Sequence, residues 1–257
     1  MSVLSYLTSR ASDTLMDVQE KESIKKSIAT LKARLNTNFE GRLKDHFQFG
    51  SSTRGTILPR SMNEHSDIDY LIVFNDDDSV PQTYLDRLKR FAEIYYSKSE
   101  IYQSSPTIVL ELNHIKFDLV PARTAFWNDF KIPDGNGGWR GTNPNDFNDK
   151  LNLTNREHSN LIKPTIRLVK YWNAVNDFVF DSFLLEKRIV DLSFRGCKNL
   201  KEYFFYAIDS LSVEYDFVQW RKDAVSRAKD NVAQVKDFER QGMIAKAELE
   251  LKKLIPE

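Results

Sequence analysis

Apolar residues recur at helical spacing near the start of the chain, from about Asp13 to Phe39. Because an α-helix turns once every 3.6 residues, side chains at this spacing fall on one face. The pattern therefore predicts a single long N-terminal helix that could brace the rest of the molecule. Its apolar positions are Leu15, Val18, Ile24, Ile28, Leu31 and Leu35.

The pattern changes from helical spacing to alternation in two later segments. From Asp67 to Phe74 the chain reads DIDYLIVF, and from His114 to Val120 it reads HIKFDLV. Both segments are rich in β-branched and aromatic residues, which predicts two strands. Residues 43–126 as a whole alternate strand, helix and strands, so we expect a mixed sheet there.

The second half of the chain has a different pattern. Glycine, proline and asparagine are frequent from Asn128 to Asn152, which predicts a loop. The rest looks helical from Thr154, which has the capping-box spacing with Glu157. Pro164 predicts a kink or a new helix start, and the last stretch predicts one or two exposed helices. Together these patterns predict an α+β fold.

Composition fits a compact globular protein. The chain has 257 residues, of which 41% are hydrophobic and 29% charged. Cys197 is the only cysteine and the four histidines are scattered, which excludes internal disulfides and a structural zinc cluster. We expect a cytoplasmic protein with no membrane partner, because the sequence has neither a long apolar run nor the apolar core of a signal peptide.

The charge balance bears on the choice of partner. Lysine plus arginine and aspartate plus glutamate each number 37. Proteins that live on long nucleic acid usually present a net basic surface, because they neutralise phosphates. Long nucleic acid is therefore not expected as an obligatory partner, and a regulatory protein partner is left open.

Three aspartates are the candidates for chemistry. Side chains alternate along a strand, so Asp67 and Asp69 lie on one side, roughly 7 Å apart. If the strand that carries Asp118 is a neighbour, Asp118 comes within roughly 5 Å of them. Carboxylates this close repel one another unless divalent cations neutralise them. We expect two Mg²⁺ ions, for which Mn²⁺ can substitute, in an arrangement suited to phosphoryl displacement.

A glycine-serine turn precedes the first strand. Gly50 would let the backbone approach a ligand closely. Ser51, Ser52 and Thr53 could cap a short helix whose free N–H groups point at a triphosphate. Ser51 is the residue expected against the phosphates.

These motifs resemble a known family. The G-S turn at Gly50 and Ser51, the D-x-D strand and the later aspartate are similar to the DNA polymerase β-type nucleotidyltransferase superfamily. Downstream, LIKPTIRLVKYWN and DSFLLEKRI resemble the helical lobe of oligoadenylate synthases, cyclic GMP-AMP synthase and the bacterial CD-NTase (SMODS) oligonucleotide cyclases. The wording GSSTRGTILPR, SDIDYLIVF and GWRGTNP is most like the bacterial cyclases. The likeness covers roughly residues 40–190.

The resemblance implies a two-lobed, polymerase β-like α+β fold. Residues 1–150 would form the mixed-sheet catalytic lobe with the N-terminal helix, and 151–257 the helical lobe that closes the nucleotide cleft. It also implies that Lys170 and Ser182 reach the donor triphosphate and that Phe183 stacks on a nucleobase. Read without the family, Lys170 is a solvated lysine and Phe183 a core aromatic that follows a Ser182 helix cap.

The implied activity is template-independent nucleotidyl transfer from nucleoside triphosphates, giving a cyclic di- or oligonucleotide second messenger. Asp67 and Asp69 would hold both Mg²⁺ ions, while Asp118 completes one metal site or accepts the proton of the attacking ribose hydroxyl. In bacteria such cyclases serve antiphage signalling. Two alternatives are an enzyme that adds one nucleotide to a protein, an RNA end or a small molecule, and an inactive nucleotide-binding protein.

Overall fold

The chain divides into two compact units. The computed structural model describes residues 1–76, 80–104, 106–125, 129–214 and 217–257. The sheet unit comprises Asp17–Arg60 and Glu64–Asp149, and the helical unit comprises Met1–Met16, Ser61–Asn63 and Lys150–Glu257. The predicted α+β class is confirmed. The contacts of Met1–Met16 place it in the same unit as the C-terminal helices. The division into functional lobes 1–150 and 151–257 stays a prediction.

The predicted N-terminal helix is two helices, α1 (Val3–Asp13) and α2 (Val18–Asn38). They separate because the side chain of Asp17 caps the second helix, accepting a hydrogen bond from the backbone N–H of Glu20. Leu15 therefore lies outside the long helix and is exposed. Among the described helices, none combines the length and apolar character needed to cross a membrane.

A mixed sheet forms the centre of the sheet unit, as predicted. The elements are β1 (Leu43–Gln48), α3 (Ser51–Arg54), β2 (Asp67–Phe74), α4 (Pro81–Tyr95), β3 (Glu100–Ser104), β4 (Thr107–Glu111), β5 (Lys116–Thr124), β6 (Phe130–Pro133) and β7 (Trp139–Thr142). The strands run in the order β1-β2-β5-β4-β3, with β6 paired to both β5 and β7. Only the pair of β2 and β5 is parallel among the described pairs.

Two apolar layers cover the faces of this sheet. On the face that carries the three aspartates, Phe47, Phe49 and Phe130 pack against a buried cluster farther along the strands. That cluster is Leu71, Val73, Val120, Ala122 and Ile132. On the other face, the rings of Phe39 and Phe74 meet edge to face at 5.4 Å. Since β2 and β5 are parallel, their aspartates lie at the same polar end of a face that is otherwise apolar.

The passage from Asn128 to Asn152 is not simply a loop. Asn128 lies outside the described residues, and β6 and β7 form a hairpin within the rest. The glycine- and asparagine-rich part of it does form a turn, in which the carboxylate of Asp134 accepts hydrogen bonds from the backbone N–H groups of Asn136 and Gly138. The flanking residues pair across that turn, which their turn-rich composition did not reveal.

The helical unit contains most of the remaining helices. Thr154 lies inside α5 (Asp146–Glu157), so the predicted capping box is wrong and the helix starts two turns earlier. Pro164 lies in the first turn of α6 (Ile162–Ala174), which confirms a new helix start there. The other helices are α7 (Ser182–Val190), α8 (Leu200–Asp209), α9 (Gln219–Arg240) and α10 (Ile244–Lys252), and the last two confirm the prediction for the end of the chain.

Candidate active site

The two strands that bear the aspartates are neighbours. In the parallel register of β2 and β5, Asp69 lies directly opposite Asp118 and Asp67 lies opposite Lys116. Asp67 and Asp69 are two residues apart on one strand, so they share a face. The predicted meeting of the three carboxylates on one sheet face is therefore confirmed at the level of strand register, and their roles as metal ligands stay a prediction.

Gly50 brings the turn against this cluster. Its φ is +75°, a backbone conformation that side-chain-bearing residues rarely adopt. A Cβ atom at this position would lie 1.8 Å from Oδ2 of Asp69, so no larger residue fits without moving the carboxylate. The backbone N–H of Phe49 also donates to the carbonyl of Asp69 at 3.0 Å. The turn and the D-x-D strand are thus one packed unit.

The hydroxyl groups of the turn differ from the expected helix cap. The short helix α3 has Gly50 at its N-cap position and no side-chain capping bond. Instead, Ser52 donates to the carbonyl of Phe49 at 3.2 Å and Thr53 donates to that of Gly50 at 2.9 Å. These two hydroxyls stabilise the turn itself. The placement of Ser51 against phosphates stays a prediction.

Asp118 is a partly buried carboxylate with acidic neighbours. Its side chain is 21% exposed, and its Oδ1 atom has no hydrogen-bond partner among the described residues. Burial raises the pKa of Asp118 to about 6, and the negative charges of Asp67 and Glu111 add to the rise, while Lys116 opposes it. A carboxyl group with this pKa can hold or release a proton near neutral pH.

Lys116 is a member of this cluster that the sequence analysis did not select. Its Nζ atom lies 3.5 Å from Oδ2 of Asp67 and 4.0 Å from Oδ1 of Asp118. Burial alone would lower the pKa of Lys116, but the charges of Asp118 and Asp67 outweigh it and the pKa is raised. The signal for it was present, because Lys116 is two residues before Asp118 and so shares its face.

The oxygen atoms of this cluster are suitable ligands for a divalent cation, although the side chains do not form a closed coordination site. Among the residues that the structure describes, no three acidic, histidine or cysteine side chains are grouped tightly enough to hold a metal ion as they stand. Carboxylate oxygens are nevertheless the ligands that Mg²⁺ prefers. The buried Oδ1 of Asp118, which lacks a hydrogen bond, is an atom that a cation would satisfy.

Lys170 lies in the helical unit and is not a solvated lysine. Its side chain is 6% exposed, and its Nζ donates at 2.9 Å to Oε1 of Glu186, a carboxylate that is 1% exposed. The reading of Lys170 as a surface residue is therefore wrong. Its predicted contact with a triphosphate stays a prediction.

Ser182 and Phe183 form the first turn of α7. The helix cap is Asp181, whose carboxylate accepts from the backbone N–H of Leu184 at 2.8 Å, so Ser182 is not the cap. Phe183 is 39% exposed, with Nζ of Lys187 5.1 Å from its ring centre. The reading of Phe183 as a core aromatic is wrong, and its stacking on a base stays a prediction.

Asn173 orients the chain that leads into α7, and the sequence analysis missed this role. Its buried side-chain amide donates to the carbonyl of Phe180 and accepts from the N–H of Phe180, both at 2.9 Å. The loop between them contains two consecutive left-handed residues, Asp177 and Phe178, with φ of 57° and 55°. Such a turn costs energy in non-glycine residues, and the double amide contact stabilises it.

Comparison with known proteins gives a consistent family. Residues 1–155 match the model of the Second Messenger Oligonucleotide or Dinucleotide Synthetase domain. A curated protein of Bacillus cereus (strain VD146), described as a probable cyclic nucleotide synthase, is 33% identical over 103 residues. That alignment covers 37% of this chain and 31% of the relative, so the chain matches about a third of the relative's length.

Solved structures show the same fold. The Bradyrhizobium diazoefficiens CD-NTase CdnG, in complex with GTP, has a TM-score of 0.71 at 14% identity, covering 91% of each chain. The CdnC protein of Escherichia coli MS115-1, with ATP, has a TM-score of 0.73 at 17% identity, covering 100% of this chain and 98% of the other. At such identities the likeness shows that the fold is shared, and it confirms the predicted CD-NTase architecture.

Proposed function

Because the chain belongs to the Second Messenger Oligonucleotide or Dinucleotide Synthetase domain family, we propose that it joins nucleoside triphosphates without a template and cyclises them. The product is a cyclic di- or oligonucleotide second messenger, and the enzyme is a nucleotidyltransferase. The related CdnG and CdnC structures contain GTP and ATP, which supports nucleoside triphosphates as the substrates.

One observation carries this proposal. The parallel register of β2 and β5 sets Asp69 opposite Asp118, with Asp67 on the same face and Gly50 packed against the Asp69 carboxylate. An acidic cluster beside a turn that admits only glycine brings metal ligands next to backbone that a phosphate group can approach closely. This arrangement supports phosphoryl chemistry more than a structural role, since carboxylates clustered on one face repel one another.

Different residues of the sheet unit have different roles in the proposed reaction. Asp67, Asp69 and Asp118 would hold two Mg²⁺ ions, or Mn²⁺ in their place. Such ions would supply Lewis-acid activation of the attacking ribose hydroxyl and charge neutralisation for the departing pyrophosphate. Asp118 also accepts the proton from that hydroxyl. Gly50 and Ser51 receive the phosphates, and Ser52 holds the turn in shape through its bond to the carbonyl of Phe49.

The remaining residues proposed to bind the nucleotide lie on α6 and α7. Lys170 and Ser182 bind the donor triphosphate, and Phe183 stacks on its base through an exposed ring face. The proposal includes a biological role in bacterial antiphage signalling, which rests on the resemblance to bacterial cyclases.

Product analysis tests the proposal. The full chain is incubated with all four triphosphates, one carrying α-³²P, and Mg²⁺ or Mn²⁺, and the phosphatase-treated products are analysed by mass and nuclease digestion. We expect a phosphatase-resistant product whose mass corresponds to two or more nucleotides joined in a ring. Asp69→Asn is the matched control, because it keeps the side-chain shape and removes the charge.

The outcomes separate the alternatives. Asp69→Asn is expected to lose product by about three orders of magnitude or more while its circular dichroism is unchanged. Label that appears only on an added protein, RNA or small molecule would overturn cyclisation in favour of single-nucleotide transfer. Pyrophosphate release no higher than in Asp69→Asn, with every triphosphate mixture, would overturn the enzymatic activity itself.

A further inference from the structure

Lys116 is placed between acidic neighbours on both sides. It is the first residue of β5, with Asp67 opposite it on β2 and Glu111 opposite it on β4. Its side chain is 17% exposed. A lysine in this position can turn its ammonium group toward either neighbouring strand. The surrounding charges therefore determine which carboxylate the ammonium contacts.

Glu111, the carboxylate on the β4 side, already forms an ion pair with Arg60. Arg60 donates to Oε1 of Glu111 at 2.7 Å, and the same guanidinium donates to the carbonyl of Leu112 at 3.3 Å. Two bonds from one planar guanidinium fix its orientation well. Glu111 is thus engaged on its own side, and the ammonium of Lys116 turns the other way.

On the β2 side, Lys116 contacts two of the three candidate metal ligands. Its Nζ lies 3.5 Å from Asp67 and 4.0 Å from Asp118. With Asp69 included, the three carboxylates and this ammonium carry a formal charge of −3 + 1 = −2. An ammonium is a compact point charge on a flexible stem, so it can neutralise carboxylates and still move away from them.

We propose that Lys116 is a positioning residue that acts as a resident counter-cation of the metal-binding carboxylates. In the metal-free protein it holds Asp67 and Asp118 on the shared face. A divalent cation has to displace its ammonium from Asp67 and then bind beside a positive charge. Lys116 therefore raises the metal concentration at which the site fills. This inference rests on the proposed function, since it assumes that these aspartates bind metal.

The proposal makes opposite predictions for the protein with and without metal. Without metal, removing the ammonium leaves the carboxylates to repel one another, so the metal-free protein loses stability. With metal, the competition is gone and binding tightens. A merely structural lysine would lower stability under both conditions and would leave metal affinity unchanged, so metal binding is the discriminating measurement.

Direct Mn²⁺ binding to the purified full chain tests this without relying on catalysis. Free Mn²⁺ is measured by electron paramagnetic resonance for the wild type, Lys116→Met, Lys116→Arg and Asp69→Asn. We expect Lys116→Met to bind Mn²⁺ on the order of fivefold to tenfold more tightly than wild type, given the loss of one nearby charge. Lys116→Arg, which keeps the positive charge beside the carboxylates, is expected to show no such gain in affinity.

Thermal unfolding provides a second measurement. Lys116→Met is expected to melt at a lower temperature than wild type without metal, and to gain more from added Mn²⁺. Lys116→Gln serves in the same way if the Met variant does not fold. Unchanged or weaker Mn²⁺ binding in the folded neutral variants would overturn the counter-cation role.

The aspartate control separates this failure from failure of the proposed function. If Asp69→Asn loses Mn²⁺ binding while Lys116→Met binds as wild type does, only the role of Lys116 is wrong. If Asp69→Asn binds Mn²⁺ as well as wild type does, the aspartates are not the metal ligands, and the function proposed for them is wrong together with this inference.

Discussion

Two carboxylates in this protein, the partly buried Asp118 in the sheet unit and the buried Glu186 in the helical unit, have different partners. Glu186 accepts a hydrogen bond of 2.9 Å from the buried ammonium of Lys170. The Oδ1 atom of Asp118 lies 4.0 Å from Nζ of Lys116 and has no hydrogen-bond partner among the described residues. Glu186 has its cationic partner within its own unit, whereas burial, together with the charges of Asp67 and Glu111, raises the pKa of Asp118 to about 6.

The difference indicates what each group does. The carboxylate of Glu186 neutralises the buried ammonium of Lys170 and links α7 to α6. A carboxylate that is buried beside like charges destabilises the protein as it stands, and such groups cluster at functional sites. The cost at Asp118 is understandable if a cation is bound there during function.

The largest effect on stability is expected at the compensated pair. Glu186→Gln removes the carboxylate while Lys170 stays buried and charged, so the free energy of unfolding should fall by about 3 kcal/mol or more. Urea unfolding of the full chain measures it. The double variant Lys170→Met with Glu186→Met is the matched control and should be more stable than Glu186→Gln, because it removes both buried charges. A loss below about 1 kcal/mol in Glu186→Gln would contradict the importance of this pair.

The opposite sign is expected at Asp118. Asp118→Asn removes a buried charge, so the metal-free variant should be more stable than wild type near pH 7 by about 1–3 kcal/mol, while losing activity. Because the folded pKa is raised from 3.8 to about 6, the stability that protonated Asp118 contributes is fully present below about pH 4. It is lost as pH rises through 6.

The pH dependence sharpens this prediction. The stability difference between Asp118→Asn and metal-free wild type should be near zero at pH 4 and should grow through pH 6, as measured by urea unfolding at each pH. Added Mg²⁺ should narrow the difference near pH 7 by stabilising the wild type. A variant that is less stable than wild type near pH 7 without metal would show that Asp118 is compensated after all.

The smallest effect on stability is expected at Phe183, which lies on the same helix as Glu186. Since the ring is 39% exposed, Phe183→Ala should change the free energy of unfolding by about 0.5 kcal/mol or less. The same variant should raise KM for the nucleotide, because base stacking on an aromatic ring contributes about 1–3 kcal/mol. Leu185→Ala on the buried face of α7 is the contrasting control and should cost about 2–5 kcal/mol. An unchanged KM in Phe183→Ala would remove the ring from the nucleotide site.

Strand bounds and helix starts were predictable where they depend on residues that are close together in the chain. The strand from Asp67 to Phe74 has the bounds that alternation predicts, and the new helix start at Pro164 follows from the proline ring. Thr154 shows the limit of such reasoning, because a capping-box spacing can also occur within a helix that has already begun at Asp146.

Partners across the fold were less predictable. The sequence indicated three aspartates and their common face, because strand alternation and the family motif both depend on short stretches of chain. It did not indicate that Lys170 would bury its charge against Glu186, that Asn173 would hold the turn before α7, or that Lys116 would lie between Asp67 and Asp118.

The sequence alone determined which residue types stand where: alternation set the faces of β2 and β5, and the glycine in the turn admitted the close approach of Asp69. Only the tertiary structure decided how the charges are matched, because an ion pair depends on distances between elements that are far apart in the chain and on how much water is excluded around them. For that reason the acids could be found from the sequence, whereas the cations that accompany them required the fold.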